Sequence, residues 1–167
     1  MQGKDSAKLF LAVVVVAVVF VWLSSQSLPP VVASHFGASG AANGFMSRSA
    51  YTWFMAGIIA VVPSLLVFLP NLAMSRPRAQ FNLPNKNYWL APERRQETVE
   101  YLCGTSRRFG YSLVGFMAYV HWLVVKANAV HPPTLSNEWF VGGLVLFVLA
   151  AGGLVVGIFR RFGRASR

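Results

Sequence analysis

Four long apolar runs alternate with polar segments along this chain. They lie at about residues 7–24, 50–70, 109–128 and 139–159. Each run is long enough for a helix to cross a hydrocarbon core of about 30 Å, and only Lys8 and Lys126, near the run ends, bring a Lys, Arg, Asp or Glu into them. Because a charge at the centre of a span costs about 2.5 to 3.5 kcal/mol, the pattern predicts an all-α membrane protein with four transmembrane helices. We expect a single membrane domain over residues 1–167.

The segment 25–49, between the first and second runs, is predicted to be an ordered loop. A pair of prolines forces an extended exit from the first run, and an Asn-Gly step at 43–44 favours a tight turn. Phe45 and Met46 are then expected to pair back over Val32 or Phe36. The loop would thus form a small hairpin-like lid.

The segment 71–108, between the second and third runs, is the longest hydrophilic part of the chain. Pro92 suits the first position of a helix, and Glu93 and Glu97 follow where acids favour the helix dipole. The sequence therefore predicts a short amphipathic helix at 92–102, lying on the membrane surface.

The placement of the cations predicts the orientation in the membrane. The formal net charge is +10, from 15 Lys and Arg residues and 5 Asp and Glu residues. All of the cations except Arg48 and Lys126 lie before or at the start of the first run, between the second and third runs, or after the fourth. Since cytoplasmic loops are rich in Lys and Arg, both termini and 71–108 are predicted to be cytoplasmic, and 25–49 to face outward. This is the layout of a multi-pass protein of a bacterial inner (plasma) membrane.

The sequence disfavours two classes of function, nucleic-acid binding and catalysis. A soluble basic patch with interleaved aromatic side chains, as nucleic-acid binding requires, is missing from the sequence, and the cations instead suit anionic lipid headgroups. No nucleophile-base pair, metal-ligand spacing or phosphate-binding glycine motif is recognisable. The single cysteine, Cys103, excludes an intrachain disulfide. We therefore expect a protein that is not an enzyme and has no cofactor.

The first run raises the question of a secretory signal. Lys4 and Lys8 precede an apolar core, and small residues follow it, as in a cleavable signal peptide. The run is at the long end for a signal core, and Trp22 near its end fits an interfacial anchor. We expect an uncleaved transmembrane anchor.

The fourth run carries a small-xxx-small step formed by Gly153 and Gly157. Such a step lets another helix backbone approach closely. Packing within the chain is the favoured interpretation, and a homo-oligomer is the alternative.

The stretch LPPVVASHFGASGAANGFMSRSAY resembles the signature of a bacterial membrane domain of unknown function. That pattern runs Leu-Pro, Val, His-Phe or His-Trp, Gly, an Asn- or Asp-Gly step, and Ser before the next helix. The same domain forms the N-terminal part of immunity proteins against the sporulation-delaying peptide toxin, and NLPNKNYWLAPERR is similar to segments of short members. Immunity proteins continue into a further multi-span domain, and the resemblance implies no catalytic residue. The matching residues are Leu28, Pro29, Val32, His35, Phe36, Gly40, Asn43, Gly44 and Ser47.

The three histidines, His35, His121 and His131, all fall on the predicted outer side. His121 is the only imidazole inside a run, and ionisable residues within membranes are candidate functional groups. One hypothesis is a Cu or Zn site, or a proton sensor, built from the three imidazoles. The alternative is that His121 hydrogen-bonds a neighbouring helix, His35 holds the loop and His131 is merely exposed.

These observations lead to a ranked set of functional hypotheses. The leading one is a non-enzymatic interaction or sensing module that recognises a peptide, a protein or a lipid through the loop 25–49. A second hypothesis is an accessory subunit of a larger membrane complex, and a third is a small transporter or metal-handling protein that uses His121. The binding residues of the leading hypothesis are His35, Phe36, Gly40, Asn43 and Gly44.

Overall fold

The computed structural model describes residues 2–74, 76 and 82–163. The described part is mainly α-helical, with a two-stranded antiparallel sheet between the first two long helices. The elements in chain order are α1 (Gln2–Ser24), a 3-10 turn (Ser25–Ser27), β1 (Val31–Phe36), β2 (Ala42–Ser47), α2 (Arg48–Met74), α3 (Lys86–Trp89), α4 (Pro92–Asn128) and α5 (Asn137–Phe162).

Three helices in the described residues are long and apolar enough to cross a membrane. The predicted run 109–128, which forms the second half of the more polar helix α4, is not among them. The three helical segments are Asp5–Ser27, Arg48–Met74 and Asn137–Phe162.

Helix α4 also corrects the prediction of a separate short helix at 92–102. Those residues are the first turns of a continuous 37-residue helix. No proline follows Pro92 within it, so the backbone hydrogen bonds of the first turns continue into the later ones. At 1.5 Å per residue, α4 is about 55 Å long and extends well beyond the thickness of a hydrocarbon core.

Helices α1, α2 and α4 share one apolar core. Gly110 of α4 lies where an added Cβ would overlap Val67 of α2 and come within 2.8 Å of the Phe10 ring of α1. The absent side chain therefore lets three helices meet at one level. The buried core residues are Phe10, Val14, Ala17, Val21, Ala56, Ile59, Val67 and Val114.

A proline inside α2 is compensated by α4. Pro70 has no N–H and so leaves the carbonyl of Leu66, four residues earlier, without its helical donor. The Ser106 hydroxyl donates to the Leu66 carbonyl oxygen over 3.0 Å. In this way a side chain of a neighbouring helix satisfies the freed carbonyl, as proline-containing helices in lipid require.

Helix α5 packs against α4. Gly143 lies against the Tyr119 ring so closely that a Cβ there would overlap it. The Tyr119 hydroxyl donates to the Trp139 carbonyl over 2.7 Å, and the rings of Phe116 and Phe147 stack at 4.7 Å. The other faces of α5 are largely exposed, as expected for a helix whose side chains contact lipid.

Candidate functional site

Strands β1 and β2 form a hairpin directly beside the ends of α1, α2 and α4. Val32 pairs with Met46, and Ala33 pairs with Phe45. The register then shifts twice, because His35 pairs with Gly44 and Phe36 pairs with Ala42. Ser34 is thus an extra residue on β1 and Asn43 is an extra residue on β2, and each such insertion locally bends and twists a strand.

The turn of the hairpin lies at residues 37–41, which corrects the prediction of a tight turn at Asn43-Gly44. Gly40 has φ 81°, the left-handed conformation that favours glycine, and the Gly37 N–H donates to the Ala41 carbonyl over 2.9 Å. Asn43 and Gly44 instead lie within β2. The Asn-Gly signal was overridden because Gly40 supplies the positive φ three residues earlier.

Gly44 is needed for a close approach between the strands. A Cβ at Gly44 would lie 2.9 Å from the His35 Cβ, inside van der Waals contact. His35 Nδ1 hydrogen-bonds Asn43 Oδ1 beside it, on the exposed side of the sheet. His35, Asn43 and Gly44 therefore form one small surface feature at the register shift.

Asn128, the last residue of α4, attaches the hairpin to the helices. Its Oδ1 accepts from the Ala33 N–H over 2.8 Å, and its Nδ2 donates to the Ala33 carbonyl over 2.9 Å. Nδ2 also donates to the Val124 carbonyl of its own helix over 2.9 Å. The buried amide side chain thus pairs with β1 as a neighbouring strand would.

The connection between α4 and α5 holds the hairpin turn. The Leu135 N–H donates to the Gly40 carbonyl over 2.9 Å, and the Ala42 N–H donates to the Pro133 carbonyl over 3.4 Å. The Asn137 side chain donates to the Ala38 carbonyl over 2.6 Å. A Cβ at Gly40 would overlap the Leu135 carbonyl, so the turn is seated tightly on this connection.

The start of α2 also binds the chain that leads into the hairpin. The Arg48 N–H donates to the Pro30 carbonyl over 2.9 Å, and its guanidinium donates to the Leu28 carbonyl over 3.1 Å. The one cation of the segment 25–49 therefore holds the exit from α1. We use the name hairpin end for β1, β2, the connection 129–136 and the helix ends beside them.

A buried hydrogen-bonded chain lies beneath the hairpin and joins three helices. His121 of α4 is 0% exposed. Its Nε2 is 2.7 Å from Ser24 Oγ of α1, and its Nδ1 is 2.9 Å from the Tyr51 hydroxyl of α2. The Tyr51 ring stacks on the imidazole with centroids 5.6 Å apart. The polar atoms of His121 are thus engaged by neighbouring helices, as one sequence hypothesis expected.

The donors in this chain follow from counting protons. Ser24 has a single hydroxyl proton, which it donates to the Phe20 carbonyl four residues back. Ser24 Oγ must then accept, so His121 Nε2 carries a proton and donates it. Nδ1 of the neutral ring is consequently the acceptor for the Tyr51 hydroxyl. Each proton of Tyr51, His121 and Ser24 therefore has an acceptor, as a buried polar network requires.

The structure does not bring the three histidines into one cluster. His121 lies buried among helices, His35 is exposed and bonded to Asn43, and the exposed His131 has its Nδ1 2.9 Å from the Val130 carbonyl. Within residues 2–74, 76 and 82–163, no three His, Cys, Asp or Glu side chains are arranged to hold a metal ion.

The free surface of the hairpin mixes apolar and polar side chains. Phe45 is 57% exposed and Val31 is 62% exposed, and His35 and Asn43 lie on the surface with them. Phe36, by contrast, is half-buried against core residues below the sheet. Of the five predicted binding residues, His35, Asn43 and Gly44 are thus brought together, whereas Phe36 and Gly40 pack inward.

At the opposite end of the bundle, side chains bind the C-terminus of α5. Asn85 has φ 52°, and its side-chain amide donates to the Phe162 carbonyl over 3.0 Å. The Trp89 indole N–H donates to the same carbonyl over 3.2 Å. The motif NLPNKNYW therefore caps the C-terminus of α5, whose last carbonyls have no helical donors of their own.

Aromatic rings and arginines surround this cap. Phe162 is fully buried and meets the edges of the Trp89 and Tyr101 rings. The Arg161 guanidinium lies 4.3 Å from the Tyr101 centroid and pairs with Glu97. Burial raises the pKa of the thiol of Cys103, two residues after Tyr101 in α4, which keeps it protonated at neutral pH. We call α3, residues 92–108 of α4 and the last turn of α5 the arginine end.

The two glycines predicted to pack a helix differ in their surroundings. A Cβ at Gly157 would lie 3.4 Å from the Tyr101 hydroxyl, whereas a Cβ at Gly153 would meet no described atom within 4 Å. The glycine that contacts α4 most closely is Gly143. The face bearing Gly153 is therefore open.

Sequence reasoning missed Asn128, Tyr51, Ser24 and Asn85. Asn128 stands at the end of an apolar run beside Lys126, where a polar residue is expected and draws no notice. Tyr51 and Ser24 read as ordinary interfacial residues at the run ends. The available signal was the lone His121, because a buried imidazole has two polar atoms that need partners.

Comparison with known families adds one finding. Residues 10–60 match the model of a family described as "Domain of unknown function (DUF1648)". The matched segment covers most of α1, the whole hairpin and the first half of α2. No curated protein and no solved structure matches the chain. The match supports an uncharacterised domain family for the segment that contains the hairpin.

Proposed function

We propose that this chain is a four-span inner-membrane protein. Its hairpin end faces outward and binds another molecule without catalysing a reaction. Both termini and the arginine end are then cytoplasmic. The observation that carries the proposal is the hairpin itself, which is fastened by α2, α4 and the α4–α5 connection while Phe45, His35 and Asn43 stay on its surface.

The packing of α4 supports the fourth crossing. Gly110 meets Phe10 and Val67, and His121 meets Ser24 and Tyr51. From residue 10 to 24, α1 rises about 21 Å, and from 110 to 121, α4 rises about 17 Å. The two helices lie side by side over most of that height, so a membrane that α1 crosses also surrounds α4. The polar atoms of His121 do not oppose this, because each has a partner.

Impermeant thiol labelling on intact cells tests the orientation. Cys103→Ser provides a cysteine-free background, into which Ser39→Cys is placed at the exposed hairpin turn and Lys86→Cys at the arginine end. Ser39→Cys should react on intact cells and Lys86→Cys only after lysis. The reverse pattern would invert the topology and remove the proposed recognition surface.

Recognition through the hairpin is tested by partner recovery from native membranes. The double substitution of Asn43 and Gly44 by Val removes the His35 hydrogen bond and places a side chain against the His35 Cβ. Partner recovery should be lost while membrane insertion is retained. Ala38→Val is the matched control, because Ala38 is exposed and interacts through its carbonyl. Unchanged recovery with the double variant would refute the role of the hairpin.

A relation to immunity against a peptide toxin stays part of this proposal. It rests on the resemblance of the hairpin segment, and the family match at residues 10–60 is compatible with it. Expression of the chain in toxin-sensitive cells, with and without the double Val substitution, is the direct measurement. Survival conferred only by the unsubstituted chain is the expected result.

An accessory-subunit function is the second candidate, favoured by an apolar groove of about 870 Å³ between α4 and α5. A Cβ at Gly115 or Gly142 in its lining meets no described atom within 4 Å, so another helix has room to approach. Gly142→Leu should then displace a co-purifying subunit. Gly57→Leu, at an equally open position of α2, is the matched control and should not.

A further inference from the structure

The outer edge of β2 carries main-chain groups directed away from the hairpin. Ala33 gives both its N–H and its carbonyl to Asn128, so these groups point away from β2. Its cross-strand partner Phe45 is therefore in a non-hydrogen-bonded pair, in which both residues direct their main-chain groups outward. The Phe45 N–H and carbonyl consequently lie along the free edge of β2.

The same alternation extends along the strand. The Arg48 N–H bonds the Pro30 carbonyl, which makes the Pro30/Arg48 pair a hydrogen-bonded one. Pairs alternate between the two kinds, so Ser47, opposite Val31, also directs its N–H to the edge. The Ser47 carbonyl directly precedes α2, which begins at Arg48, and it accepts the first hydrogen bond of that helix. Phe45 and Ser47 thus present two donors, their N–H groups, and one acceptor, the Phe45 carbonyl, in strand geometry.

The chain already uses the beginning of this edge for strand pairing. Ala41 forms an isolated antiparallel bridge with Thr134, and the Ala42 N–H donates to the Pro133 carbonyl. The connection between α4 and α5 pairs with this edge only at Ala41 and Ala42. Beyond it, Asn43, Phe45 and Ser47 are exposed. The open part of the edge therefore continues an interface that accepts extended backbone.

Apart from the extra residue Asn43, which bends the strand, β2 lacks the side chains that usually protect an edge strand. Proteins blunt such edges with Lys, with Pro or with inward-pointing charges. The sequence of β2 is ANGFMS, which contains none of these. Phe45, 57% exposed, adds an apolar side chain at the centre of the open part.

We propose that the free edge of β2 binds an extended peptide segment of another protein, which adds as a third strand beside Phe45 and Ser47. This inference rests on the proposed function and specifies its mode of recognition. The main-chain groups of Phe45 and Ser47 supply the hydrogen bonds, as in other cases of strand addition. The Phe45 ring favours an apolar side chain at the peptide residue beside it.

The test uses the full chain in nanodiscs and displayed random peptides of about eight residues, a typical strand length. A selected peptide is remade with single N-methyl groups along its backbone. Residues whose N–H faces β2 alternate with residues whose N–H faces solvent, so methylation should weaken binding by about tenfold or more at every second position. A profile without this alternation would overturn strand addition.

Two variants of the protein distinguish the contribution of the Phe45 main chain to peptide binding from that of the Phe45 ring. Phe45→Pro removes the N–H that the peptide needs, whereas proline is tolerated on an edge strand because that N–H does not bond β1. Phe45→Ala removes the ring and keeps the N–H. Binding should be lost with Phe45→Pro and only weakened with Phe45→Ala. Protection of the Met46 amide from hydrogen exchange verifies that the hairpin of each variant is intact.

The remaining outcomes are also decisive. Failure to select any peptide contradicts the inference, while partner loss in the double Val variant would still support recognition by the hairpin. A bound peptide that is insensitive to Phe45→Pro, but is lost in the double Val variant, overturns strand addition alone. A chain that dimerises without peptide and becomes monomeric with Phe45→Pro assigns the edge to a second copy, and so overturns the proposed partner.

Discussion

At both the hairpin end and the arginine end of the bundle, amide side chains bind main-chain groups, although the two ends differ in charge. At the hairpin end, the Asn128 amide binds the main chain of Ala33. At the arginine end, the Asn85 amide and the Trp89 indole bind the last carbonyls of α5. In each case a side-chain donor substitutes for a main-chain partner, because a strand edge and a helix end both have unpaired groups.

The two ends differ in charge and in what lies beneath the fastening. The hairpin end rests on the buried chain of Ser24, His121 and Tyr51, and Arg48 is the cation of its loop. The arginine end is surrounded by guanidinium groups and has an exposed ion pair. Hydrogen bonds shielded from water are costly to break, whereas exposed ion pairs contribute little. Stability should therefore depend more on the hairpin end.

The largest effect is expected from His121→Ala. It removes a buried ring and leaves the hydroxyls of Tyr51 and Ser24 without their imidazole partner, at a cost of about 3 to 5 kcal/mol. Unfolding in detergent followed by circular dichroism measures the loss. His131→Ala, at an exposed position, is the control and should change stability by less than about 0.5 kcal/mol. An effect of His121→Ala as small as that of His131→Ala would mean that the buried hydrogen-bonded chain does not stabilise the hairpin end.

Asn128→Ala should detach the hairpin from α4. It leaves the N–H and carbonyl of Ala33 unpaired, which costs about 1 to 3 kcal/mol. Hydrogen exchange at the Ala33 amide should accelerate more than exchange at the Val32 amide, whose residue pairs with Met46. Asn87→Ala, an exposed asparagine of α3, is the control. Unchanged protection of Ala33 would contradict the strand-like role of Asn128.

Trp89→Phe should loosen the arginine end moderately. It keeps a ring against Phe162 and removes the indole donor, at a cost of about 1 kcal/mol. Hydrogen exchange over the last turn of α5 should increase while the hairpin end is unaffected. Asn85→Asp in the same background removes the second donor and tolerates positive φ, so it should increase the exchange further. No change in either variant would mean that the helix end is held by packing alone.

Glu97→Gln should have the smallest effect. The Glu97 side chain is 70% exposed, and exposed ion pairs contribute about 0.2 to 1 kcal/mol. The small loss should also shrink as salt is added, because ions screen exposed charges. Thermal unfolding at low and high salt measures both. A loss as large as that of His121→Ala would remove the difference between the two ends.

Part of the site was predictable because its signals are local. The lid over residues 25–49 followed from a proline pair and apolar residues able to pair across a turn, and β1 and β2 lie there. The position of the turn was not predictable, because Gly40 and the Asn-Gly step both accept positive φ. The seating of Gly40 against Leu135 decides between them, and that contact joins residues far apart in the chain.

The hydrogen-bond partners of His121 were likewise only partly predictable from the sequence. Its presence in an apolar run required partners, and the sequence left a metal site and interhelical hydrogen bonds as alternatives. Ser24 and Tyr51 became its partners only because α1, α2 and α4 meet at one level. The three helices also meet at Gly110, about 17 Å away along α4, where the missing side chain admits Phe10 and Val67.

By itself, the sequence determined that the chain is helical and suited to a membrane, because run length and charge placement act through solvation along the chain. It also located the segment that forms the hairpin. Only the tertiary structure decided which polar atoms pair, that 92–102 continues into α4, and that the free edge of β2 stays open. These depend on contacts between residues distant in sequence, whose geometry no local pattern specifies.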